Sequence, residues 1–262
     1  MTNLQKKIAI KATSDCSSFT KAKQLANQLK IPIISSNADF ENYNFVLTFN
    51  DNRLELISTE SKSANPICID FLSNKLAYRQ KFGGGQKQLI AKAVGLKKNN
   101  AADLNIIDAT AGLGTDAFIL ASLGCNVHMI ERSPIIAALL QDALDRAATH
   151  PDFANIKLKL TIADAIEYLQ KIPESKRPDI IYLDPMYPER KKTALGKKEM
   201  RILKEIVGED LDAEKLLEIS LKCARKRIAV KRPKLAPTIN STTPNLVYNG
   251  KSSRYDVYYT GT

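Results

Sequence analysis

The stretch Asp108-Ala-Thr-Ala-Gly112-Leu-Gly114-Thr-Asp116-Ala117 limits what this chain can fold into more than any other part of it. Before it, Asn105 to Asp108 reads as a short strand; after it, Thr115 to Leu123 reads as a helix. Gly112-x-Gly114-x-x-Ala117 is the spacing of a turn whose small residues let backbone approach a ligand. The alternation then continues. Asn126 to Glu131 reads as a strand and Pro134 to Ala147 as a helix with Pro in its first turn. Leu158 to Ala163 is a strand, Ala165 to Leu169 a short helix and Asp179 to Leu183 a strand. Lys197 to Val207 and Ala213 to Ala224 are helices, and Arg227 to Val230 is a strand. Leu246 to Tyr248 and Arg254 to Tyr259 flank Asn249-Gly250, a hairpin signal. Strands and helices alternating over roughly 150 residues predict an α/β fold with a parallel sheet covered on both faces. The closing hairpin adds antiparallel strands at the sheet's edge.

The chain divides near residues 75 to 85, giving a small N-terminal α+β module, 1–80, and a larger domain, 81–262. In the module, Lys7 to Lys11 and Ile31 to Ile34 read as strands and Phe19 to Leu29 as a helix. Phe45 to Phe49 and Leu54 to Ile57 alternate around Asn50-Asp51-Asn52 as a hairpin, and Pro66 to Leu72 reads as a further strand. Gly83-Gly84-Gly85 then leads into a helix from Gln86 to about Leu96.

Of the 262 residues, 44% are hydrophobic and 26% charged, which excludes disordered and fibrous chains. No apolar run approaches the ~20 residues of a membrane span, and the first ten residues lack a signal peptide's apolar core. The four cysteines form no C-x-x-C pair, so they read as reduced thiols in a cytoplasmic protein, with no metal site. The formal charge of +11 is concentrated. Residues 185–204 carry Arg190, Lys191, Lys192, Lys197, Lys198, Arg201 and Lys204 against two acids. Residues 222–234 carry Lys222, Arg225, Lys226, Arg227, Lys231, Arg232 and Lys234 against none. Each cluster alone is as well explained by a solvated face. Together they carry the whole excess, which favours a phosphate-backbone footprint.

The glycine turn and Glu131, at the end of the next predicted strand, point to a nucleoside cofactor, with the carboxylate on the ribose hydroxyls. A dinucleotide and S-adenosylmethionine both satisfy that pattern. Asp108 and Asp116 flank the turn, where two carboxylates would repel a pyrophosphate and receive a cationic sulfonium amino acid, so S-adenosylmethionine is favoured. Asp164, after the third strand, can reach an adenine amino group or cap a helix. The fourth strand ends Asp184-Pro185-Met186-Tyr187-Pro188, at the sheet's carboxyl end, where open α/β folds bind ligands. An exocyclic amine is a poor nucleophile because its lone pair is delocalised into the base. Asp184 and the Pro185 carbonyl can accept its two N–H bonds, and Tyr187 offers a stacking face. Read alone, the four residues from Asp184 fit an ordinary helix-preceding turn equally well.

Taken with Ile130-Glu-Arg-Ser-Pro134, Tyr182 to Pro188, Lys197-Lys-Glu-Met-Arg201 and Val230-Lys-Arg-Pro233, the Asp108 turn resembles the bacterial ribosomal RNA small subunit methyltransferase J family. That family methylates N2 of a guanine in 16S rRNA with S-adenosylmethionine. The likeness runs from about Phe82 to Tyr259; the first 75 residues match only in layout. It implies a class I, Rossmann-like methyltransferase domain, a partner in 16S rRNA or the 30S subunit, and no membrane or metal. It implies cofactor contacts at Thr115, Asp116, Glu131, Arg132, Asp164, Ala165 and Asp184. Thr115 stands where an Arg is familiar and Asp164-Ala165 where two serines are, so backbone rather than side-chain contacts carry over there. Met186 departs from the Asp-Pro-Pro-aromatic loop of other amino methyltransferases and agrees with this family. Two other readings remain beside it, a nicotinamide-dependent oxidoreductase and a non-catalytic RNA-binding protein.

Overall fold

The computed structural model describes residues 8–12, 15–60, 65–73, 87–97, 101–186, 198–208 and 210–260, with the side chains of 17, 37 and 198–201 outside the description. In chain order the elements begin β1 (Ile8–Lys11), α1 (Cys16–Leu29), β2 (Ile33–Ile34), β3 (Phe45–Asn50) and β4 (Arg53–Ser58). Next come α2 (Leu89–Ala93), β5 (Asn105–Asp108), α3 (Thr115–Ser122), β6 (Asn126–Glu131), α4 (Pro134–Ala148), β7 (Leu158–Ile162) and α5 (Ala165–Lys171). The last are β8 (Ile180–Leu183), α6 (Lys198–Val207), α7 (Ala213–Cys223), β9 (Arg227–Pro233), β10 (Leu246–Asn249) and β11 (Ser253–Tyr259).

The chain falls into two compact units that interleave along the sequence. One draws on Met1–Asp70, Ser133–Ala147 and Pro188–Gly208, the other on Phe71–Arg132, Ala148–Tyr187 and Glu209–Thr262. In the first unit a four-stranded sheet has the order β2-β1-β3-β4. Its hairpin turns where expected, with Asp51 and Asn52 both in left-handed conformation, which short polar side chains tolerate. Helix α1 starts earlier than the apolar pattern suggests because Asp15 caps it, accepting from the Ser18 amide at 2.9 Å. Asp142 of α4 joins this unit by accepting the Leu54 amide of β4 at 3.1 Å, and Arg146 holds that carboxylate at 2.9 Å. The strand expected over Pro66 to Leu72 is absent: only Ile67 bridges to Leu56. The apolar run there reports burial, at Ile67, Ile69 and Phe71, rather than a hydrogen-bonded ladder.

The second unit is a seven-stranded sheet in the order β10-β11-β9-β8-β5-β6-β7. β9, β8, β5, β6 and β7 run parallel, and the β10–β11 hairpin closes one edge antiparallel, as expected. This is the Rossmann-like, doubly wound arrangement that the alternation predicts. β8, with the sequence Ile-Ile-Tyr-Leu, is buried along its whole length, as a central parallel strand must be. Ile107, Ile181, Leu183, Ile228 and Val230 line one sheet face beneath Leu216 and Leu217 of α7 and Leu169 of α5. Phe118 of α3, Phe71 and Phe153 form a three-ring cluster, with ring centres 5.2 Å apart for Phe71–Phe118 and 6.3 Å apart for each of the other two pairs. Each such side chain contributes about 1.5–3 kcal/mol by leaving water. Helix α2 is shorter than the expected Gln86 to Leu96, because the Leu96 amide turns back onto the Ala91 carbonyl at 2.8 Å. Among the described residues no helix is long and apolar enough to cross a membrane.

Candidate active site

Strand order reverses between β5 and β8, the place where open α/β sheets leave a crevice at the strands' carboxyl ends. From β5 the chain runs through Ala109 to Gly114 into α3. Gly112 and Gly114 have φ of 53° and 70°, a region that L side chains rarely adopt, so the spacing of the two glycines is a backbone requirement. A Cβ at Gly112 would meet nothing closer than the Thr110 carbonyl oxygen at 3.9 Å, which leaves room for a ligand beside the backbone. The Gly112 amide donates to Oε2 of Glu131 at 2.9 Å, so the buried Glu131 carboxylate at the end of β6 also shapes the loop.

Asp184 follows β8. Its amide donates to Oγ1 of Thr110 at 2.6 Å, tying the Asp184-Pro185-Met186 turn to the glycine loop. Leu183 pairs with Val230 in the parallel β8–β9 register, so the next residues, Asp184 and Lys231, stand side by side. The Lys231 ammonium lies 2.8 Å from Oδ2 of Asp184 and 2.7 Å from Oδ2 of Asp116, in the first turn of α3. The buried Tyr182 hydroxyl donates to that same Asp116 oxygen at 2.7 Å. On the other side of the turn, the Met186 amide donates to Asp210, whose carboxylate also pairs with Arg132; Asp212 takes the second arm of the guanidinium at 3.0 Å.

Burial in the crevice raises the Asp184 carboxyl above its ordinary range, Lys231 opposes this and Asp116 adds to it. With 40% of its side chain exposed and an ammonium at 2.8 Å, Asp184 is read as an ionised carboxylate. Burial pulls the Lys231 ammonium down, but Asp184 and Asp116 more than offset it and hold the group well above an ordinary lysine. Burial and the Asp116 charge push the Tyr182 hydroxyl well above the usual tyrosine range. Asp108 is 2% exposed, and burial drives its carboxyl up to about 8 against the one bond from the Thr110 amide.

Asp108 and Asp116 were expected to face the cofactor as bare charges that reject a pyrophosphate. Burial raises the Asp108 carboxyl to about 8, and Asp116 shares the Lys231 ammonium with Asp184, so neither stands as a bare charge and that argument alone does not separate the cofactor classes. The second basic cluster is also not a uniform phosphate footprint. Arg232 is 2% exposed and bonds to the Pro237 carbonyl; Lys231 belongs to the crevice; Arg227 packs on the Tyr259 ring at 5.1 Å. Lys222, Arg225, Lys226 and Lys234 of that cluster are exposed.

The other expected residues fall into three groups. Gly112, Gly114, Thr115, Asp116, Glu131, Asp184 and Pro185 come together around the crevice. Arg132 commits its guanidinium to Asp210 and Asp212, which leaves its backbone for a cofactor. Asp164 caps α5, accepting the Glu167 amide at 3.0 Å, and the Ala165 side chain packs into the core. Tyr187, Lys191, Lys192 and Lys197 lie outside the described residues, as do the side chains of Lys198 and Arg201 and the Gly83–Gly85 run. The sequence reading missed Tyr182, Thr110, Asp210 and the place of Lys231 in the crevice. Only the strand register, Leu183 opposite Val230, distinguishes Lys231 from its basic neighbours.

The Asp108 geometry carries a pH prediction. A carboxyl whose folded value lies above its ordinary 3.8 favours the fold most below that value and loses this contribution as pH rises toward about 8. Asp108→Asn keeps the oxygen for the Thr110 amide and has no proton to lose. Urea denaturation at pH 5 and pH 8.5 is expected to show a smaller fall in stability for the variant than for the wild type. Equal falls would mean that Asp108 is not the buried acid.

A family model described as "Putative SAM-dependent methyltransferase" matches residues 25–260. The chain is 50% identical over 240 residues to Ribosomal RNA small subunit methyltransferase J of Coxiella burnetii (strain RSA 331 / Henzerling II), covering 92% of each sequence. It is 49% identical over 217 residues to the protein of that name from Aeromonas salmonicida (strain A449), covering 82% of this chain and 86% of that one. The crystal structure of a SAM-dependent methyltransferase from Neisseria gonorrhoeae aligns with a TM-score of 0.73 at 29% identity, covering 97% and 96% of the two chains.

Proposed function

The chain belongs to the ribosomal RNA small subunit methyltransferase J family, S-adenosylmethionine-dependent enzymes, and from that membership we propose that it methylates the exocyclic N2 amine of a guanine in 16S rRNA. The observation that carries the chemistry is the Asp184-Pro185-Met186 turn, anchored through Thr110 to the glycine loop at the carboxyl ends of β8 and β5. Open α/β sheets bind their ligands at that place.

When bound, S-adenosylmethionine supplies a methyl carbon on a cationic sulfur, open to displacement by an amine. In this reading the Gly112–Gly114 backbone and Glu131 hold the nucleoside, with Thr115, Asp116, Arg132, Asp164 and Ala165 around it. The Asp184 carboxylate and the Pro185 carbonyl accept the two N–H bonds of the guanine amine, so that its lone pair is left for the methyl carbon. The charge of Asp184 offsets the positive charge that grows on that nitrogen. Tyr187 is assigned the stacking face for the base.

Glu131→Ala is expected to weaken S-adenosylmethionine binding, since charge-assisted hydrogen bonds are each worth about 1.5–3 kcal/mol and the Gly112 amide loses its acceptor as well. Unchanged affinity by calorimetry would remove Glu131 from the cofactor site. Lys191, Lys192, Lys197, Lys198 and Arg201 are assigned to RNA phosphates. Reversing the charge of the four lysines should flatten the salt dependence of RNA binding by roughly one log-log unit per lost contact, with cofactor affinity unchanged. An unchanged slope would put the footprint elsewhere.

A contiguous division into a small module, 1–80, and a methyltransferase domain, 81–262, is part of this reading; each of the two sheets lies wholly on one side of that line. So is a cytoplasmic site of action, where 16S rRNA or the 30S subunit is met. The reading is tested by incubating the chain with undermethylated small-subunit RNA and tritiated S-adenosylmethionine, then digesting to nucleosides. Label in N2-methylguanosine is expected. Label confined to another nucleoside, or to none, would overturn it.

A further inference from the structure

Lys231 sits in a basic run, yet its surroundings are not those of a phosphate contact. Its ammonium is shared between Oδ2 of Asp184 at 2.8 Å and Oδ2 of Asp116 at 2.7 Å, and 28% of the side chain is exposed. Two of its three N–H donors are taken by carboxylates, whose charges offset the ammonium's pull on a phosphate. The three groups come from three different elements. Lys231 is on β9, Asp116 opens α3, and Asp184 leaves β8. Tyr182 fixes Asp116 from below through its hydroxyl. Two carboxylates that touch one nitrogen would repel each other without it.

We propose that Lys231 is a positioning residue for methyl transfer: it pins one oxygen of Asp184 against the Asp116–Tyr182 pair and keeps the carboxylate ionised, leaving Oδ1 for the substrate amine. The proposal rests on the methyltransferase reading above and goes beyond it in assigning Lys231 to the chemistry rather than to RNA binding. Without the ammonium, Asp184 has two ways to relieve its repulsion from Asp116. It can turn away, which misplaces the amine, or take up a proton, which converts an acceptor into an O–H donor. Either costs rate, and the second makes the rate depend on pH. The charged and titratable groups around Asp184 include Lys231, Asp116, Asp210, Asp108 and Tyr182, and those around Tyr182 include Asp116, Asp184, Asp108 and Tyr255. Among these described residues Lys231 is the cation.

The test compares wild type, Lys231→Met, Lys231→Arg and the double variant Asp116→Asn with Lys231→Met. Single-turnover methylation is measured at saturating cofactor and RNA from pH 6 to pH 9, beside RNA affinity and its salt slope. Lys231→Met should lose about 10- to 100-fold in rate at pH 7, recover part of it as pH rises, and keep RNA affinity and slope within twofold. Lys231→Arg should recover most of the rate by restoring the cation. The double variant removes the repulsion that drives both escapes, so it should melt close to wild type and recover part of the rate at pH 7 that Lys231→Met loses. A Lys231→Met chain with full rate and the wild-type pH profile would overturn the proposal. So would one that loses RNA affinity and about one unit of salt slope while keeping its rate at saturating RNA. A wild-type chain that itself labels no guanine would overturn the underlying reading and this proposal with it, whereas an active wild type beside an unaffected variant overturns the proposal alone.

Discussion

Asp184→Asn is expected to slow single-turnover methyl transfer by about two to three orders of magnitude, with the fold and RNA affinity close to wild type. Asn keeps the size of the side chain and one acceptor oxygen, so packing around Pro185 and the Thr110 bond to the backbone amide are retained. The negative charge is lost. An acceptor charge aimed at a developing positive centre in a water-poor site is worth ~2.7–4 kcal/mol, which converts to that range of rates. The Lys231 geometry sharpens the expectation. The ammonium 2.8 Å away will draw the amide oxygen toward itself, which turns the NH₂ group toward the substrate's own NH₂. Two donors then face each other where an acceptor is needed. Asp116 still holds Lys231, so the ammonium is not left without a partner. Saturating cofactor is required, since Asp184 is also assigned a cofactor contact. A rate within tenfold of wild type would mean that the Asp184 turn does not orient the amine.

Asp256→Ala is expected to destabilise the fold by about 3–5 kcal/mol, because it leaves a buried guanidinium without its counter-charge. Arg254 and Asp256 stand two apart on one face of β11, 9% and 1% exposed, and are joined by two bonds of 2.7 and 3.0 Å. The same guanidinium caps the chain leaving β9, donating to the Lys234 and Ala236 carbonyls at 2.8 and 2.6 Å. The pair therefore fixes the segment just after Lys231. Asp256→Asn keeps an oxygen for Arg254 and should cost less. Urea denaturation followed by circular dichroism measures both. A loss below about 1 kcal/mol for Asp256→Ala would show that carbonyls or water satisfy Arg254 without it.

The parallel sheet was legible because its central strands are short apolar runs, each followed by a helix with a recognisable start, such as Gly114 before α3 or Pro134 in α4. The glycine loop, Glu131 and the Asp184 turn were legible for a related reason: special backbone and a carboxylate at a strand end leave marks in a single sequence. Pro66 to Leu72 misled because an apolar run records burial and not whether a ladder forms. The charge argument over Asp108 misled because burial, invisible in sequence, decides whether a carboxyl carries its charge. Lys231 was misassigned by the same limit. Seven cations between residues 222 and 234 look alike in a sequence, and only the β8–β9 register sets Lys231, beside Asp184, apart from the others. The grouping of α4 with the N-terminal sheet through Asp142 has no local signal at all, since its partner Leu54 lies 88 residues away.

The central claim is that this chain methylates one guanine of 16S rRNA through Asp184. Its most direct test is mass mapping of 16S rRNA from cells lacking the chain, complemented with the wild type or with Asp184→Asn. The account predicts the loss of a single methyl group from one guanine base, restored by the wild type and not by the variant. An rRNA map unchanged by the deletion, or a methyl group restored equally by both, would contradict it.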